Sequence, residues 1–188
     1  VAAAHAEGAR VAVHTFSEEA VDILVRAGVD SVEHGTGLSG ELIALMAAQG
    51  TALVPTMLNI DRFDHIADQA EDKFPGYAGH MRTLKAGFPD VVRAAYEAGV
   101  PIYVGSDAGG GVGHGLAARE MLMLHQAAGM SPLDVLRAGS WGAREWLGFP
   151  GLVEGGLADL VVYAGDPREN LSVLLAPTRI VLRGHIRV

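Results

Sequence analysis

The stretches Val11-Ala12-Val13-His14, Ser31-Val32-Glu33-His34 and Ile102-Tyr103-Val104-Gly105-Ser106-Asp107 decide the fold. Each is a short apolar run of strand length that ends in an imidazole or a carboxylate. A side chain at the C-terminal tip of a β-strand has its direction fixed by the sheet, so parallel strands aim several such tips into one mouth. His14 and His34 lie 20 residues apart, one βα repeat, which predicts adjacent strands with tips at matching heights. Asp107 ends the last of these runs and would face the two imidazoles across a closed barrel mouth. Two neutral imidazoles can share a divalent cation, and a carboxylate at the same opening can bind metal and accept a proton from bound water. Glu33, next to His34, is expected to point to the other side of its strand and to be structural.

Around these runs the pattern alternates strand and helix. Ser17 reads as an N-cap for a helix to about Ala27, and Ser39 for one to Gln49, each stopped by a following glycine, Gly28 and Gly50. A third strand is expected over Thr51–Pro55 and the fourth over Pro101–Gly105. The segment from Thr56 to Gly79 is mixed and reads as an irregular or partly helical cover over the strand tips. A helix from His80 to Ala98, kinked near Pro89, should lead into the fourth strand, and two more should cover Leu116–Ala128 and Ser131–Ala138. Beyond Trp141–Leu147, Leu157–Tyr163 and Arg179–Arg183 read as antiparallel strands, with Gly184-His185 as a tight turn into Ile186–Val188. Asp159 and the Trp141–Trp146 pair are expected to be structural. Four βα units make half of an eight-unit barrel; an open sheet is the alternative.

Composition narrows the function classes. The chain has 188 residues, is 49% hydrophobic and carries a formal charge of -8, with no basic stripe, so nucleic acid is not an expected partner. No stretch is apolar enough for a membrane span or a signal peptide, which makes cytoplasmic the expected location. With no cysteine, tight metal binding falls to His, Asp and Glu. The opening Val1–Gly8 reads as the last turns of a helix closed by Gly8, so the chain is expected to be a fragment or to follow from a start assigned too far downstream.

The order of these motifs, Val-Ala-Val-His14, Ser-Val-Glu-His34-Gly-Thr and Gly-Ser-Asp107-Ala-Gly, resembles the amidohydrolase superfamily, nearest its imidazolonepropionase-like and Xaa-Pro dipeptidase-like branch. The tail Gly155–Val162 resembles that family's return into its small β-sandwich domain. The resemblance implies an α/β fold: the C-terminal half of a TIM-like (β/α)8 metal-dependent hydrolase barrel, strands five to eight over 1-150, with trailing strands of the small β domain over 151-188. It also implies His14 and His34 as ligands of the second metal, and Asp107 as ligand and proton carrier of the first. The metal is a divalent ion, expected to be zinc, and the substrate a small amide or peptide whose C–N bond is hydrolysed. The family's His-x-His pair on strand one and its Lys or Glu on strand four have no counterpart here. The chain alone is therefore expected to bind metal weakly and to be inactive. Half a barrel leaves sheet edges and an apolar face uncovered, so pairing with a second copy or with a missing N-terminal half is expected.

His114, in the glycine-dense loop after Asp107, is the expected substrate contact. Two other readings stand beside this one. The chain could be a non-catalytic α/β module for assembly or binding. Alternatively, Gly109–Gly113 could cradle a phosphate with its backbone N–H groups, although no lysine or Gly-Lys-Ser/Thr ending accompanies it.

Overall fold

A computed structural model describes residues 1–187. Strands β1 (Ala12–Thr15), β2 (Ser31–His34) and β3 (Ala52–Val54) form a parallel sheet in the order β1-β2-β3. A short α1 (Ala2–Ala6) precedes the sheet and unwinds at Gly8, where φ is +70°. Helices α2 (Glu18–Arg26) and α3 (Gly40–Gln49) make the crossovers. Ser17 Oγ accepts the Ala20 N–H at 3.2 Å and Ser39 Oγ the Leu42 N–H at 3.3 Å, so both caps lie where the sequence puts them.

The fourth strand is shorter than expected. Pro101–Tyr103 runs beside β3, with the Leu53 N–H donating to Pro101 O at 2.8 Å and the Tyr103 N–H to Leu53 O at 3.0 Å. Pro101 has no N–H with which to extend the ladder, and the Val104 N–H is already taken by Ala138 O at 3.2 Å, so pairing stops at one parallel bridge, Leu53 to Ile102.

The Thr56–Gly79 segment is helical rather than irregular. It holds α4 (Met57–Ile60), α5 (Phe63–Ala70) and the start of α6 (Pro75–Glu97). Pro75 lies in the first turn of α6, where its fixed φ suits a helix and its missing N–H costs nothing, so the helix begins five residues before His80 and continues through Pro89. Phe63 and Ala67 of α5 are fully buried against this long helix. Helices α7 (Ala117–Ala128), α8 (Pro132–Ala138) and α9 (Trp141–Trp146) follow. The main core joins Val21, Val32, Met46, Leu53, Phe88 and Leu124 from the sheet and the helices around it.

A second, antiparallel sheet contains β4 (Leu160–Val162), β5 (Arg179–Leu182) and β6 (His185–Ile186). Its tight turn is Arg183-Gly184, one residue earlier than expected; φ is +52° and +77° at these two residues, the left-handed pair that a two-residue hairpin needs. Val188 lies outside the described residues. A 3₁₀ turn, Leu171–Leu175, buries Leu171 and Leu174 in the main core. Among the described residues no helix is long and apolar enough to cross a membrane.

The loop after β2 is held by close backbone contact. A Cβ at Gly37 would lie 2.6 Å from both Cα and N of Glu18, so the α2 N-terminus would have to move. Gly37→Ala is expected to destabilise the fold by about 1–3 kcal/mol, the usual cost of overpacking. Urea unfolding should show a lower midpoint at unchanged slope.

Candidate functional site

The sheet register places His14 opposite Glu33 and Thr15 opposite His34. Regular alternation would send the His14 and His34 rings to opposite faces, since paired residues of parallel strands share a face. The backbone at His34 resolves this by leaving the strand in the left-handed region, with φ +68°. His14 Nδ1 and His34 Nε2 then share a hydrogen bond of 2.6 Å, with the rings edge to face at 4.6 Å between centroids. Phe16 closes one side, its ring centroid 4.5 Å from that of His34 and 5.1 Å from that of the buried Phe63.

The other tips are distorted in the same way. Thr56, after β3, has φ +51°, and Asp107, after the fourth extended segment, has φ +53°. Left-handed backbone is unfavourable for any residue with a Cβ and more so for a β-branched one, so three such residues at three strand tips mark a place where the fold holds strain. Each is engaged. His34 Nδ1 is 2.6 Å from Thr56 Oγ1, and Asp107 Oδ2 accepts from Asn59 Nδ2 at 2.8 Å. Thr56 and Asn59 give no distinctive signal in the sequence.

The electrostatics follow from burial. His34 is 3% exposed, and desolvation, then the neighbouring His14, push its pKa down to about 4 against the pull of Asp107. Its ring is therefore neutral near pH 7, the form that binds a metal. Glu33 is not set apart from the site as the sequence reading expects. It lies opposite His14 on the same face, its carboxylate accepts from Ser31 Oγ at 2.8 Å, and burial, opposed by that bond, raises its pKa, with Asp107 raising it further.

The candidate ligands assemble only in part. His14 and His34 face each other, but among the described residues no group of three His, Asp or Glu side chains is arranged to hold a metal ion, so Asp107 does not complete a trio. Its carboxylate is turned to Asn59 instead. The donor set suits a divalent cation as far as the two imidazoles go. His114 is exposed in the loop beyond Asp107. Two of the N–H groups that the phosphate-cradle reading would use are engaged within the loop itself. The Gly109 N–H donates to Val112 O at 2.8 Å and the Val112 N–H to Gly109 O at 3.0 Å, a two-bond turn. Asp159 accepts the Arg183 N–H at 2.7 Å, and Trp146 lies beneath Arg10 and beside Tyr103.

A further buried group was not expected from the sequence. Glu120 of α7 is 0% exposed, and its carboxylate accepts the Met57 N–H at 2.7 Å and the Leu58 N–H at 2.9 Å. Burial pushes it up to about 7, against those two bonds. Its position was a readable signal: four residues before the buried Leu124, it occupies the inward face of its helix.

A parallel α/β sheet with chemistry-bearing side chains at its strand tips fits part of a TIM-type barrel. The chain belongs to the amidohydrolase family, which it matches over residues 1–186. It is similar to an uncharacterised protein of Mycobacterium tuberculosis, 51% identical over 181 residues, covering 96% of this chain and 48% of that one. It is also similar to ochratoxinase of Aspergillus niger, 26% identical over 175 residues, covering 90% of this chain and 35% of the enzyme. The crystal structure of a Xaa-Pro dipeptidase with methionine bound in its active site superposes with a TM-score of 0.81 at 31% identity, covering 98% of this chain and 46% of that one. The chain thus spans about half the length, or less, of the relatives it matches, and its fold is a corresponding part of their barrel.

Proposed function

We propose that the protein, at its full natural length, is a metal-dependent hydrolase of an amide-type C–N bond in a dipeptide, cyclic amide or related small molecule. His14 and His34 would hold a divalent cation, zinc by the chemistry of the donors. The observation that carries the reading is the convergence of His14 Nδ1 and His34 Nε2 at 2.6 Å from two adjacent strand tips, with membership of the amidohydrolase family and similarity to a Xaa-Pro dipeptidase in support. A bound divalent cation lowers the pKa of its water and polarises a carbonyl oxygen. In this reading Asp107 contributes a ligand and takes a proton from the attacking water, then hands it to the leaving nitrogen. Asn59 holds the carboxylate for that task through its 2.8 Å bond. His114 would meet the substrate from the loop beyond.

The incomplete ligand set of the described residues favours a second reading, a non-catalytic α/β module for assembly or binding. Metal analysis and Xaa-Pro dipeptide hydrolysis separate the two. The natural-length protein should contain a divalent metal, and the pair of substitutions His14→Ala and His34→Ala should lose it while the fold remains. Neither metal nor turnover in that protein would establish the binding module and end the hydrolase reading.

A further inference from the structure

Helix α4 begins under unusual conditions. Its N-cap residue, Thr56, makes no side-chain cap and sits in the left-handed region. The Thr56 hydroxyl, which could have capped the helix, is engaged by His34 Nδ1. The first backbone N–H groups of a helix have no partner within it, and when buried they need an acceptor from elsewhere. That acceptor comes from 62–63 residues away: Glu120 takes the N–H groups of Met57 and Leu58. Met57 is itself buried, so water does not offer an easy substitute.

The same turn carries two further groups. Thr56 reaches His34, and Asn59 reaches Asp107. One short helix thus presents a hydroxyl to one candidate ligand and an amide to another, and one carboxylate fixes where that helix starts. A buried carboxylate is a costly capping group, since desolvation penalises its charge and its partners here are two backbone N–H groups, with no cation among the described residues. A neutral side chain would cap more cheaply. What the carboxyl group adds is two acceptor oxygens, one for each N–H, that hold both groups in one geometry.

We propose that Glu120 is a positioning residue for the candidate metal site, acting through the α4 turn to hold Thr56 against His34 and Asn59 against Asp107. This inference rests on reading His14, His34 and Asp107 as the ligand set. Groups that orient metal ligands in this way commonly change affinity or activity by about 10–100-fold when altered.

The test uses Glu120→Gln in the natural-length protein, a near-isosteric change that keeps one acceptor and replaces the other with an amide donor facing a backbone N–H. Zinc affinity, measured by competition with a chelator, should fall about 10–100-fold. Val25→Ala serves as the control, because Val25 is buried at the end of α2 far from the strand tips. It should cost comparable stability and leave zinc affinity unchanged. Thr56→Val removes the hydroxyl facing His34. If Glu120 acts through that contact, combining the two changes should weaken zinc binding by less than the product of the single effects.

A second readout needs no metal. In metal-free protein labelled with [15N]histidine, the His34 ring resonances, assigned from their loss in His34→Gln, should shift in Glu120→Gln and not in Val25→Ala. Unchanged zinc affinity together with unshifted His34 resonances would overturn the proposal. Multiplying effects of Glu120→Gln and Thr56→Val would also overturn it. If the unaltered protein binds no zinc, the ligand assignment fails, and the His34 resonances alone decide whether Glu120 positions that ring.

Discussion

Asp107→Asn in the natural-length protein is expected to lower the turnover of a Xaa-Pro dipeptide by about 10²–10⁴, the range that a positioned proton carrier supplies. Asparagine preserves the shape, and its short polar side chain tolerates the left-handed backbone that Asp107 adopts at φ +53°. The fold should therefore survive. What is lost is the basic oxygen that would take a proton, together with the acceptor for the Asn59 amide, since the new amide can present its own N–H there. The change should show as a fall in kcat at near-constant thermal midpoint, because a group that acts in the transition state lowers kcat and kcat/KM together. A variant that keeps wild-type turnover would remove Asp107 from the reaction.

The sequence carried the sheet and lost the site's support. The tips His14, His34 and Asp107 were legible because a strand ending in a ligand-type residue is visible in a single run of four to six letters. The caps Ser17 and Ser39 were equally local, each requiring only a hydroxyl and a turn of helix. What escaped was non-local or conformational. The His14–His34 contact needs left-handed backbone at His34, because the register alone would separate the rings. No letter announces that conformation in a histidine. The face of Glu33 is misjudged for the same reason: alternation counted from His34 starts at the residue where alternation stops. Thr56, Asn59 and Glu120 are tied to the site across 22 to 63 residues of chain, distances over which composition carries no signal. The fourth strand failed on Pro101 and on a donor claimed by Ala138, a competition decided by packing.

Glu120 also sets how stability depends on pH. Its folded-state pKa is pushed up to about 7 from 4.5, so between these values the folded protein holds a proton that the unfolded chain has released. Stability from this group is complete below the unfolded value and is lost as pH rises through the folded one. At 1.36 kcal/mol per unit the full swing is about 3 kcal/mol, a large part of the 5–15 kcal/mol that holds a domain together. His34 opposes it. With a folded pKa of about 4, below the ordinary 6.5, its contribution is present above 6.5 and lost as pH falls. The two trends overlap and flatten the wild-type profile. In Glu120→Gln the Glu120 trend is gone while the His34 trend remains, so stability should climb more steeply from pH 4.5 to 6.5 than in the wild type. Urea unfolding of both proteins at steps between pH 4.5 and 7.5 reads Glu120 alone, because everything common to the two cancels in the difference. That difference, wild type minus variant, should fall by about 3 kcal/mol across the range. Parallel curves would mean that the two backbone N–H bonds fully offset the desolvation of the carboxylate, and would overturn this expectation.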